Sequence, residues 1–297
     1  MVSEKNEAEI KEVLNYLSEL VIKYENEGQE SDTKRIIEYM TEIGKAAAMS
    51  KLELVVVIAL QLFSLVAREA CRLQMANVLV SIALAFGEIG KVAAGQKMEA
   101  TAKIAASCLG EMGNIPAFTR TKKETIAIIF ALGEIGKSVT LQSLGNVANS
   151  TVALLGETGQ IAAIQNFEDA ALNAELLLQE IRTGAIERDL KETADTIVGS
   201  LQDIVGKTTD RQGLERALLQ AAYSLETIIF NADDRCLMSA SIVAEVALLN
   251  FDRLEVKELE EKLNKNFRGK KRSPGAGLRT FQFGLIFPLS LMSSSGE

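Results

Sequence analysis

A motif returns at a fixed interval through the middle of this chain. Gly87-Glu88-Ile89-Gly90, Gly110-Glu111-Met112-Gly113, Gly133-Glu134-Ile135-Gly136 and Gly156-Glu157-Thr158-Gly159 each begin 23 residues after the last. The apolar residue before the motif extends the series through Leu17, Met40, Phe63, Phe86, Leu109, Leu132, Leu155, Leu178, Leu201, Leu225 and Leu248, with 23-residue gaps except for one of 24. Two residues after that anchor stands a carboxylate, at Glu19, Glu42, Glu88, Glu111, Glu134, Glu157, Glu180 and Asp203; Leu65 is the exception among the first nine units. A fixed period of this length means stacked copies of one small unit, none of which can bury its apolar face alone.

The unit reads as one helix and one turn. In Thr119 to Gly136, Thr119 or Thr121 can cap the N-terminus, Glu124 falls in the first turns, and Ile126, Ile129, Phe130 and Leu132 recur at helical spacing. The second glycine of the motif, at Gly44, Gly90, Gly113, Gly136 and Gly159, is expected to end its helix in the left-handed conformation. That predicts helices of ~17 residues and turns of about five or six. Pro116 falls in one such turn. The first glycine lies inside the helix, where it costs ~1 kcal/mol relative to Ala, so a closely approaching neighbour is expected there.

Glu-Ile-Gly-Lys is identical at 42–45, 88–91 and 134–137, while the intervening units diverge at this place. Two alternating environments imply a 46-residue structural unit. The predicted fold is all-α: an α-α superhelix of antiparallel helical hairpins, 23 residues per helix and 46 per hairpin. Ala131-Leu132-Gly133-Glu134-Ile135-Gly136 resembles the end of the first helix in HEAT-like repeats of the armadillo-type superfamily, including those of the phycobilin-lyase type. The resemblance implies a scaffold of stacked hairpins. The Asp-Pro usual after the final glycine of that type is replaced here by Lys91, Asn114, Lys137 and Gln160, and lyase chemistry is not carried over.

Residues 1–267 are read as the repeat domain. Residues 1–40 carry frequent Glu and Lys, as suits a capping helix, and 252–267 alternate in charge and close the other end. Residues 268–297 form a separate tail, basic through Arg268, Lys270, Lys271, Arg272 and Arg279 and then apolar from Phe281 to Met292. Three readings of that tail stand open: a poorly ordered end, a docking peptide, or a contact with an anionic membrane.

The chain has no histidine, which removes the commonest general base and metal ligand together, and no nucleotide-binding glycine loop or Cys-x-x-Cys appears. No enzymatic activity, catalytic residue, cofactor, metal or small-molecule substrate is therefore expected. A net charge of −8 disfavours nucleic acid. Cys71, Cys108 and Cys236 are read as small core residues in a reducing compartment, and Leu54 to Ala67 as a buried helix too short to span a bilayer. Met-Val-Ser-Glu-Lys-Asn-Glu at the start has no apolar stretch of a secretory signal, so a cytoplasmic location is expected. Asp233-Asp234 after Asn231 reads as a helix N-cap rather than a calcium loop.

The carboxylates should form two rows on opposite edges of the stack: Glu42, Glu88, Glu134 and Glu180 along one, Glu19, Glu111, Glu157 and Asp203 along the other. There they would be paired with lysines such as Lys45, Lys91 and Lys137, or hydrogen-bonded to a helix N-terminus. The function expected is a scaffold that binds a protein or peptide on the polar alternate helices, with Gln142, Asn146, Asn149 and Thr151 as candidate contacts. A membrane-associated regulatory module held through the tail is the alternative, and a chromophore-lyase-like enzyme the third reading.

Overall fold

The computed structural model describes residues 4–208. Among them lie nine helices and no strand: α1 Glu4–Asn26, α2 Glu30–Met49, α3 Glu53–Arg72, α4 Ala76–Gly95, α5 Glu99–Asn114, α6 Lys122–Leu141, α7 Gly145–Ile164, α8 Glu168–Glu187 and α9 Lys191–Thr208. From α3 onward every helix starts 23 residues after the one before. Consecutive helices pack antiparallel, and each also packs on the next but one. The result is two layers, α1, α3, α5, α7 and α9 in one and α2, α4, α6 and α8 in the other. The sequence expectations for 209–297, including Cys236, Asp233-Asp234, the closing helix and the tail, lie outside the described residues.

The 23-residue period is kept by a turn that the glycine pattern misplaces. Most helices run 20 residues, and all but one of the connections are three residues long. After α2, Lys51 N–H donates to Ala48 O and Leu52 N–H to Ala47 O at 2.9 Å, with Lys51 left-handed at φ 56°. This Schellman closure satisfies the last carbonyls of the helix. It recurs with Gln74, Lys97, Ser143, Asn166 and Asp189 in the left-handed position, and with Gly28 as the only glycine used so among the described residues. Gly44, Gly90, Gly113, Gly136 and Gly159 therefore do not end helices; all lie within them. The signal for the turn is the apolar residue that follows the left-handed one. Leu52, Met75, Leu144 and Phe167 are half-buried against the core, plugging the corner between successive helices.

A side chain in the left-handed region costs roughly 1–2 kcal/mol that glycine avoids. Lys97 is exposed at φ 60°. Lys97→Gly is expected to raise the free energy of unfolding by ~0.5–1 kcal/mol in urea titration, where Lys97→Val lowers it.

One connection departs from the rule. Pro116 follows α5, its ring pushes Ile115 to the extended φ −95°, ψ 115°, and no Schellman closure forms. The next helix is started instead by Thr121, whose hydroxyl accepts from Glu124 N while Glu124 Oε2 accepts from Thr121 N at 2.8 Å. Of the two threonines that could cap this helix, Thr121 does so, and its reciprocal bonding with Glu124 makes a capping box. Thr119 is buried and accepts a 3.2 Å hydrogen bond from Gln165 Nε2.

The core runs continuously between the layers and is small-grained. Ala59, Ala83, Ala106, Ala131, Ala148 and Ala174 alternate with Phe63, Phe86, Leu109, Leu132, Leu155 and Leu178, the anchors of the repeat. Phe63 and Phe86 meet edge to face at 5.9 Å. By length and composition α3 and α4 could cross a membrane, yet half or more of each is buried in the stack. Helix α3, expected from Leu54 to Ala67 as a buried helix, is buried on one side: Val55, Val56, Ala59, Leu60 and Phe63 face inward, while Leu54 is 62% exposed and Leu65 50%.

Candidate functional site

Both glycines of the motif serve the same end, close approach of the next helix in the layer. A Cβ on Gly87 would come within 2.8 Å of Ala131 Cβ and 2.9 Å of its Cα. On Gly110 and Gly133 it would collide with Leu154 and Leu177, and on Gly156 with Ser200. The second glycines receive Ile89 at Gly44, Ile135 at Gly90, Thr158 at Gly113, Ile181 at Gly136 and Ile204 at Gly159. The contact always falls 44 or 45 residues along the chain, so the glycines set the register between a helix and the next in its layer.

The carboxylates complete that register at the surface. Lys45 Nζ bonds Glu42 at 2.8 Å and Glu88 at 2.9 Å; Lys91 bonds Glu134 at 2.5 Å; Lys137 bonds Glu134 at 2.5 Å and Glu180 at 3.4 Å. Along the other layer Asn114 Nδ2 donates to Glu157 at 2.9 Å and Gln160 Nε2 to Asp203 at 3.3 Å. Every step from helix to helix spans 43 residues. Hydrogen bonds from Lys137 and Lys91 hold the Glu134 carboxyl below its usual pKa range, and those to Glu42 and Glu88 raise the Lys45 ammonium. The first predicted row, Glu42, Glu88, Glu134 and Glu180, is bonded throughout by lysines; of the second, Glu157 and Asp203 are bonded across helices, and by amides. Glu88, Glu111, Glu134 and Glu157 are thus part of the scaffold, spent on neighbours or solvent, and among the described residues no cluster of three or more potential ligands could hold a metal.

The polar surface expected on α7 is smaller than its sequence suggests. Thr151 is fully buried and its hydroxyl donates to Val147 O at 2.7 Å, so it is no surface contact. Asn149 is half-buried with its Oδ1 enclosed, Gln142 caps the end of α6 and is half-buried, and Asn146 alone of the four is exposed. A threonine that returns its hydrogen bond to the preceding turn can sit in a core, which composition does not reveal.

What does reach solvent in register is apolar. Phe130, which the helical spacing places with the core, is 44% exposed, Leu84 on α4 is 45% and Leu176 on α8 is 40%. They stand 46 residues apart at the same place in three neighbouring helices of one layer. Val80, Ile126 and Leu172, one turn nearer each N-terminus, are half-buried beside them, and Glu88, Glu134 and Glu180 follow one turn on the other side. On α2 the row ends in exposed Glu38. The other layer has no counterpart: Gln61, Ser107 and Ala153 occupy the equivalent places.

Two buried carboxyls were not legible as sites because nothing but their place in the repeat marks them. Glu175 replaces a residue that is Ile37, Leu60, Ala83, Ala106, Ile129, Val152 and Val198 in the other helices; it is fully buried and neither oxygen has a hydrogen-bond partner. Burial pushes its pKa well above the usual carboxylate range. Glu25 occupies a place held elsewhere by Ala48, Ala94 and Ala163; burial, helped by the charge of Glu69, raises its pKa to about 8. Arg182 stands where the second glycine of the motif would be, and burial lowers its guanidinium to about 10. Cys71 and Cys108 are half-buried and packed against the core: Cys71 donates to Ala117 O at 3.4 Å and Cys108 accepts from Ser64 at 3.5 Å, and burial raises both thiols.

No family model matches the chain, and no curated protein does. Among solved structures it is similar to a circular tandem repeat protein with novel repeat topology and enhanced subunit contact surfaces. The alignment covers 86% of this chain and 66% of that one, at 13% identity and a TM-score of 0.50. The chain is an α-helical repeat solenoid. A likeness at this identity speaks to fold alone, and the solenoid's activity has to be read from its own surfaces.

Proposed function

We propose that this solenoid is a non-enzymatic scaffold that binds a protein or peptide, and that the contact is made by the outer side of α4, α6 and α8. The observation that supports it is the row of Leu84, Phe130 and Leu176, three large apolar side chains left in water at one repeat position. Scattered apolar residues on a surface are ordinary, whereas an aligned patch rimmed by charge marks an interaction site. A chain without histidine fits a binding role better than a catalytic one. The same reading takes no cofactor and no nucleic acid, and places the protein in the cytoplasm.

Affinity purification of the full chain from its native cell, with wild type and Phe130→Asp compared by mass spectrometry, tests this. Partners are expected that are depleted at least tenfold by the substitution, with circular dichroism of the variant unchanged. An identical partner set from both proteins removes the surface from consideration.

A further inference from the structure

The side of α1 and α2 that turns away from the later helices leaves the repeat's own joining face open. Helix α1 packs on α2 and α3, and α2 on α1, α3 and α4; no other described helix touches either. In later helices the residues at these positions seat on the preceding helix of the layer, as Ala131 does on Gly87, Leu154 on Gly110 and Leu177 on Gly133. Counted back along the repeat, Tyr16 is the counterpart of Leu154, and Tyr39 of Ala131 and Leu177. Tyr16 is 60% exposed and Tyr39 58%. Val13, whose counterparts Ala59, Ala105 and Thr151 are fully buried, is 49% exposed.

The terminal unit of a helical stack stays soluble by turning polar residues outward. Here the charges form only a rim, and the centre is apolar and aromatic. Tyrosine is larger than any residue seated at this position in the later described helices, and the leucines there already need glycine beneath them. The face is therefore not shaped for one more unit of the same stack. A pair of tyrosines suits a flatter joint, in which ring meets ring and the hydroxyls stay at the water's edge.

Charge and spacing point to a second copy of the chain as the occupant. Each tyrosine stands near the middle of its helix. Glu9 and Lys23 lie seven residues to either side of Tyr16, and Arg35 and Glu42 lie four before and three after Tyr39. Opposite charges two turns apart thus bracket each tyrosine, and all four are exposed. A copy turned end for end brings Glu9 to Lys23 and Arg35 to Glu42, twice each, with Val13 across from Leu20 and Ile36 across from Ile43. Within the chain Lys23 reaches Glu27 at 3.9 Å and Glu42 meets Lys45 at 2.8 Å, but Lys23 and Glu42 keep 63% and 69% exposure and remain open to a second partner. Of the other charges on this rim, Asp32 falls across from Ala46, and Glu12 falls between Lys23 and Glu19, the one like-charge approach.

We infer that the protein forms a two-fold dimer through the outward side of α1 and α2, with Tyr16 and Tyr39 of each copy packed on those of the other and Arg35 paired with Glu42 across the joint. The joint shares no residue with the row of Leu84, Phe130 and Leu176, so it stands or falls independently of the binding reading above.

Sedimentation equilibrium of the full chain from about 1 to 100 μM tests this, since that span covers contacts of moderate affinity. A species of twice the 32.2 kDa chain mass is expected, dissociating on dilution. Tyr16→Asp combined with Tyr39→Asp is expected to leave a monomer with an unchanged circular dichroism spectrum, because both side chains already lie in water in the single chain. Arg35→Glu and Glu42→Arg are each expected to weaken dimerisation about tenfold or more, and the two together to restore it to within about threefold of wild type. Residues two turns apart on one helix are ~10 Å from each other and cannot make that repair within the chain. Phe130→Asp is expected to leave the dimer intact. The inference is overturned by a monomer across the whole range, by assemblies that keep growing with concentration as head-to-tail joining gives, by a dimer indifferent to both tyrosines or lost with Phe130→Asp, or by a double charge swap that restores nothing.

Discussion

Gly87→Leu is expected to lower the free energy of unfolding by about 3 kcal/mol, one of the two largest effects among the substitutions considered. The first carbon of the new side chain would already lie 2.8 Å from Ala131 Cβ and 2.9 Å from Ala131 Cα. A flexible side chain can swing away, as Leu154 can from Gly110, but a backbone atom can retreat only if α6 moves as a body. That movement would also pull Lys91 from Glu134 and Ile135 from its seat at Gly90, so the cost is not confined to one contact. Gly87→Ala carries the same clash, set against the ~1 kcal/mol that alanine gains in a helix interior, and is expected to be mildly destabilising. Gly95, the last residue of α4, has nothing within 4 Å of its Cβ position, and Gly95→Ala is expected to stabilise by ~0.5–1 kcal/mol. Urea titration of the three variants separates packing from propensity: if Gly87→Ala gained as much as Gly95→Ala, close approach would not be the reason for the glycine.

Glu175→Val restores an apolar side chain, as found at this place in every other described helix, and is expected to stabilise by ~1–3 kcal/mol at neutral pH, the cost of burying a polar group without a partner. The pH dependence identifies the cause. A carboxyl whose pKa is raised on folding favours the folded state only while it is protonated. Its penalty is absent below the unfolded pKa, near 4.5 for glutamate, and grows as pH rises from there toward the folded value. Glu25 acts in the same direction between 4.5 and about 8. Wild-type stability is therefore expected to decline from pH 5 to pH 8, and Glu175→Val to reduce that slope, gaining more at pH 8 than at pH 5. A gain that is equal at both pH values would assign the effect to packing rather than ionisation. Glu25→Gln provides the independent check, because it should remove its own share of the slope while leaving that of Glu175.

Both predictions rest on comparing a residue with its counterparts 23 or 46 places away, and that comparison divides what was legible from what was not. The period, the helical character of each unit, the two alternating environments and the two carboxylate rows follow from residue types alone. A repeated sequence must solve one packing problem repeatedly, so its pattern encodes local structure and interval together. The close approach at the first glycine was also predictable, since a helix interior tolerates glycine at ~1 kcal/mol only where a side chain is excluded.

Where a helix stops is settled differently. Lys51, Gln74, Lys97, Ser143, Asn166 and Asp189 hold a conformation that favours glycine, because the turn's two backbone hydrogen bonds and the apolar plug behind it outweigh the local strain. Which apolar residues are covered is likewise a property of the stack. Phe130 and Ile129 are adjacent and alike to any scale of hydrophobicity, yet one is 44% exposed and the other fully buried. Sequence determined that this chain is a periodic array of helices, because period and amphipathic pattern are local. Only the tertiary structure decided which face each helix turns to its neighbours, and so which side chains remain in water to meet a partner, because that depends on contacts 43 to 46 residues apart.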